Sequence, residues 1–104
     1  KSELLNTVGY FDENSFPRGY GEENDYCFRA ADAGYSMVVA TNTYIYHSKS
    51  KSYKNKDRIR YRNAGATRLA ELRGRERITR AILTVNANPD LKRIRAKAMK
   101  LYEK

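Results

Sequence analysis

Cysteine occurs once in this chain of 104 residues, histidine once, proline twice and tryptophan not at all. With Cys27 alone, neither an internal disulfide nor a thiolate zinc cage can form. Cys27 falls in a helix-like run with no histidine beside it to activate the thiol, so it is expected as a small buried side chain rather than a nucleophile. The single histidine, His47, excludes a paired-histidine metal site; a divalent ion there needs oxygen ligands from elsewhere. No apolar stretch approaches the roughly 18 to 20 residues of a membrane span. No basic segment followed by an apolar one opens the chain as a secretory signal would, and the start at Lys1 reads as a position inside a longer protein. These features predict a cytoplasmic location, with peripheral association at the inner face of the membrane as an extension of it. Internal repeats are also missing.

What is abundant is positive charge, and it is unevenly placed. Residues 1–48 carry three basic and seven acidic side chains, net −4, whereas residues 49–104 carry eighteen and five, net +13. An acidic half suits a metal or proton-abstracting site. The basic half suits phosphate-bearing partners: nucleotide diphosphates, an anionic membrane surface or nucleic acid. Tyr44, Tyr46, Tyr53 and Tyr61 lie near this charge and offer stacking faces, but no RNP-type, zinc-finger or other nucleic-acid signature accompanies them, which disfavours nucleic acid.

Along the chain, Leu4, Leu5 and Val8 recur at helical spacing and predict a short helix over 2–8, stopped by Gly9. Residues 10–19 are rich in turn formers and hold three aromatics, the pattern of an ordered loop. Residues 22–33 lack proline and glycine and predict a helix of about three turns closed at Gly34. The β-formers of 35–41 and 43–46 predict two short strands, or one strand with a break, buried on both faces at 37–40 as in the middle of an α/β sheet. A basic loop follows. Three helices complete the chain: 53–73, with a seam of Ile59, Tyr61, Ala66, Leu69 and Leu72; 76–85; and a last one opened by Asn88-Pro89-Asp90 that buries Leu91, Ile94, Ala98 and Leu101.

The candidate chemistry gathers at Glu22, Glu23 and Asp25, directly after Gly19-Tyr20-Gly21. Acids in the first turn complement the positive end of the helix dipole, which is role enough for them. A carboxylate fixed at a helix start yet open to solvent is also what a general base requires. Three neighbouring acids titrate as a set, so composition does not assign the proton to one of them.

Read in order, Val8-Gly9-Tyr10-Phe11-Asp12-Glu13, Gly21-Glu22-Glu23-Asn24-Asp25-Tyr26-Cys27-Phe28-Arg29, Ala33-Gly34-Tyr35 and His47 closely resemble the carboxyl-terminal half of family 2 glycosyltransferases of the GT-A fold. The likeness spans about residues 4–53. It implies a partial GT-A sheet, α/β with a short mixed sheet, over residues 1–52, followed by a basic helical extension over 53–104. It implies inverting transfer of a sugar from a nucleotide-sugar donor to a saccharide or lipid-linked acceptor hydroxyl, as in polysaccharide or glycolipid synthesis. Glu23 takes the position of the family's usual base, but the pair here is Glu-Glu where Glu-Asp is commoner, which leaves Glu22 as the alternative base; Asp12, Glu13, Asp25 and Arg29 match acceptor-side and supporting positions; His47 matches a position that binds metal or diphosphate in some relatives. The implied cofactor is Mg²⁺ or Mn²⁺. The family's Asp-x-Asp metal motif is absent, so the ion would be held mainly by an amino-terminal half outside this sequence, and the chain alone is expected to be inactive.

Overall fold

The computed structural model describes residues 2–43 and 53–103. They form five helices: α1 Ser2–Val8, α2 Glu22–Asp32, α3 Asn55–Arg73, α4 Arg75–Ala87 and α5 Pro89–Tyr102. The expected partial GT-A sheet is corrected by this architecture, because no strand occurs among the described residues. Residues 35–43 run without ladder partners, and Val38, assigned to a buried sheet centre, is 89% exposed. The β preference of valine and tyrosine reflects their fit to a half-buried pleated surface, and without a neighbouring strand it specifies no sheet. Residues 44–46, the second expected strand, lie outside the described residues.

The described chain falls into two compact units, Lys1–Arg73 and Gly74–Lys104. In the first, α2 packs against both α1 and α3. Local chemistry sets the helix ends. At the end of α2, the Gly34 N–H donates to the Ala31 carbonyl at 3.0 Å and the Tyr35 N–H to the Ala30 carbonyl at 3.0 Å. That paired closure requires a left-handed residue, and Gly34 adopts φ +89° at no steric cost.

α3 presents Tyr61, Gly65, Leu69, Leu72 and Arg73 as its shielded seam. Ile59 and Ala66, expected on that seam, are exposed. The difference has a physical cause: the seam is organised around a glycine and an arginine, which a search for apolar periodicity passes over. A Cβ on Gly65 would stand 1.7 Å from the Tyr20 carbonyl oxygen, so the helix touches the backbone of the loop there. Four residues on, Leu69 is buried, and four further Arg73 reaches α2. Only Phe16, Ala30 and Leu69 among the described apolar side chains are buried, a thin core for the unit. Cys27, expected inside, is exposed, since it lies about 200° around α2 from buried Asp25.

In the second unit, α4 and α5 contact each other across the single residue Asn88. Its side-chain oxygen accepts from the Asp90 N–H at 3.0 Å and the Leu91 N–H at 3.1 Å, and Pro89 follows where its missing N–H costs nothing. Neither helix has a buried residue, so the expected burial of Leu91, Ile94, Ala98 and Leu101 is also corrected: Leu91 and Ile94 are half-buried, and Leu101 is 67% exposed. No described helix is long and apolar enough to cross a membrane.

Candidate functional site

The loop before α2 folds around Asp12 and Phe16. One Asp12 carboxylate oxygen accepts from the Ser15 N–H at 3.0 Å, and the Asp12 carbonyl accepts from the Phe16 N–H at 3.1 Å. Hydrogen bonds from the Ser15 side chain and backbone hold the Asp12 carboxyl below the usual carboxylate range, with smaller help from the Arg29 and Arg68 charges. The turn places Phe16 in the core, and Gly19, Tyr20 and Gly21 then run at φ +76°, +59° and +120°. A Cβ on Gly21 would stand 2.9 Å from the Phe16 ring and 3.3 Å from the Gly65 carbonyl. Only glycine allows the phenyl ring, the loop backbone and α3 to meet at that point.

This hinge delivers the three acids of α2 into three different environments. Asp25 is completely buried and accepts from Arg29 Nε at 3.0 Å and from Arg73 Nε at 2.6 Å. Arg29 continues the network: one terminal nitrogen donates to the Val8 carbonyl at 2.9 Å, the other to the Tyr10 carbonyl at 2.7 Å. A buried aspartate between two guanidinium groups is a structural junction joining α2, α3 and the end of α1.

Glu22 is half-buried and folded back over Gly19, its carboxylate oxygens 3.6 and 3.7 Å from where a Gly19 Cβ would sit. Its Oε2 is shielded from solvent and has no hydrogen-bond partner among the described residues. Burial pushes the Glu22 carboxyl above its ordinary value; the adjacent Glu23 carboxylate pushes the same way, while the backbone N–H of Glu22 opposes both. Glu23 is exposed. The pair therefore consists of one carboxyl biased toward holding a proton and one open to solvent.

A groove of about 400 Å³ is lined by Leu4, Leu5, Tyr10, Phe11, Glu13 and, from α2, Tyr26; neither Glu22 nor Glu23 lines it. The Phe11 ring meets Tyr26 edge-on at 5.2 Å, and the Arg29 guanidinium sits 5.0 Å from the Tyr26 centroid. Glu13 thus borders an apolar groove, whereas Asp12 is engaged within its own turn. His47 lies outside the described residues. Among the described residues, no three His, Cys, Asp or Glu side chains come together as a metal-binding group, so the donor set needed for Mg²⁺ or Mn²⁺ is not assembled there.

Residues missed by the sequence reading are Gly65 and Arg73. The only trace of Gly65 was the break it makes in the apolar pattern of α3; Arg73, 48 positions from Asp25, left none. Around Tyr61, Arg18 and Arg60 stand 5.5 and 5.1 Å from the ring centroid, and Tyr53 meets the ring edge-on at 4.9 Å. No protein-family model, curated protein or solved structure matches the chain.

Proposed function

We propose that residues 1–73 form the acceptor-side part of an inverting sugar transferase that uses a nucleotide-sugar donor, with Glu23 as general base. The observation that carries this reading is the division of labour at the start of α2. Asp25 is immobilised by Arg29 and Arg73, Glu22 is tucked under the turn, and Glu23 alone of the three faces solvent. A base needs a fixed backbone and an open carboxylate, and Glu23 has both.

In the reaction, Glu23 accepts the proton of the acceptor hydroxyl as its oxygen attacks the anomeric carbon. The bond from that carbon to the diphosphate breaks, and the nucleoside diphosphate leaves with the bonding pair. The groove beside Phe11 and Tyr26 offers apolar and aromatic surface to a saccharide face or to the first carbons of a lipid-linked acceptor. This reading supports a role in polysaccharide or glycolipid synthesis.

The test is Glu23→Gln in the full-length protein, assayed for nucleoside diphosphate release from a panel of nucleotide-sugars and, separately, for donor binding by calorimetry. Turnover should fall by about 10²-fold or more with donor binding retained. Unchanged turnover removes Glu23 from the role, and a matching loss with Glu22→Gln alone transfers it to Glu22.

A further inference from the structure

The second unit carries a surface that the sugar-transfer reading does not use. Residues 74–104 hold nine basic and three acidic side chains, net +6. Their two helices bury nothing, yet both are two-faced. On α4, Ile78, Ala81, Ile82 and Val85 fall on one stripe; on α5, Leu91, Ile94, Ala98 and Leu101 do the same. Of the stripe residues, Ile82, Val85 and Leu101 remain open to water, and Ile78, Ala81, Leu91 and Ile94 are half-buried. At about 100° per residue, Arg95 and Lys97 border the α5 stripe on opposite sides. Neither they nor Lys92 and Lys100 form an ion pair among the described residues.

We propose that the α4–α5 hairpin is an in-plane anchor for an anionic lipid bilayer, with its apolar stripes at the headgroup–acyl boundary and its lysines and arginines among the lipid phosphates. Charge and shape together select this occupant. A second copy would bring a net charge of +6 against +6 across an interface, and a nucleic-acid backbone would satisfy the charges while leaving the stripes in water. An anionic bilayer satisfies both at once. α5, at 14 residues, is about 21 Å long, short of the roughly 30 Å of a hydrocarbon core, so the helix lies along the surface rather than across it.

The experiment is co-sedimentation of the full chain with vesicles of phosphatidylcholine alone and of phosphatidylcholine mixed with phosphatidylglycerol. Binding is expected to the mixed vesicles and to be weakened by salt; equal binding to both overturns the proposal. Arg95→Gln with Lys97→Gln should weaken binding about fivefold per charge removed. Ile82→Ser with Leu101→Ser, exposed positions on the two stripes, should weaken it more than about tenfold while circular dichroism stays unchanged. If the serine pair binds like wild type, the chain merely adsorbs by charge and the anchor is refuted. The chain has no tryptophan, so Leu101→Trp supplies a single reporter. Its emission should shift to the blue with mixed vesicles only; an unshifted spectrum on sedimenting vesicles also overturns insertion, as does tight duplex DNA binding or dimerisation in place of vesicle binding.

Discussion

In Lys1–Arg73 the side chain most shielded from water is an aspartate held by two arginines, whereas in Gly74–Lys104 no described residue is buried at all. The first unit is held by directional contacts between distant parts of the chain: Asp25 with Arg73, Arg29 with Val8 and Tyr10, Gly65 with Tyr20. The second is held by neighbours in sequence, through the Asn88 cap and the Glu76–Arg80 and Asp90–Arg93 pairs. A unit of the first kind fails when one long-range contact is removed. One of the second kind loses helix in small steps, because exposed i,i+3 and i,i+4 pairs are each worth only about 0.3–0.5 kcal/mol.

The largest way to sharpen that contrast is Asp25→Ala. It leaves two partly buried guanidinium groups without their carboxylate and should destabilise the first unit by about 3–5 kcal/mol in urea unfolding. A loss below about 1 kcal/mol would mean the network is solvated and the contrast unsound. Gly65→Ala comes next: the new methyl meets the Tyr20 carbonyl, and the backbone must move apart at a cost of about 1–3 kcal/mol. In the second unit the most damaging single change should be Asn88→Ala, which removes the acceptor for two N–H groups and costs about 1 kcal/mol, read as lost helicity by circular dichroism.

The smallest expected effect is a pH dependence at Glu22. Its folded-state carboxyl lies above the unfolded value, so between the two the native form binds more protons, and its contribution is full below the unfolded value and lost as pH rises through the folded one. Glu22→Gln should therefore gain stability relative to wild type on going from about pH 4 to pH 7. Asp12, held low by Ser15, runs the other way: its contribution is present at neutral pH and fades as pH falls through its folded value. A Glu22→Gln difference that is flat with pH would show that the carboxyl is not buried as described.

What the sequence disclosed follows the same division. Helix ends were legible at Gly34 and at Asn88-Pro89 because caps act within a few residues. The acids of α2 were legible as a cluster, but not their separation into buried, tucked and open, since that depends on Arg73 arriving from another helix. The charge boundary at residue 48 hid the same fact: α3, from the basic half, packs on the acidic α2 and neutralises its buried member. Val38 and Val39 suggested a sheet because β preference presumes a partner strand, and Leu101 suggested a core because helical periodicity marks a face without saying what covers it.

Arg29 has one further consequence, for the order in which the molecule opens. α1 has seven residues, too few to persist alone in water, and its last carbonyl is held by a guanidinium that also grips Asp25 and Tyr10. Three acceptors in three directions match the planar fork of arginine and cannot be met by the compact ammonium of lysine. The amides of α1 should accordingly exchange with deuterium as one cooperative step, ahead of α2 and α3, and Arg29→Lys should speed that step while leaving the slowest amides of α3 close to their original rates.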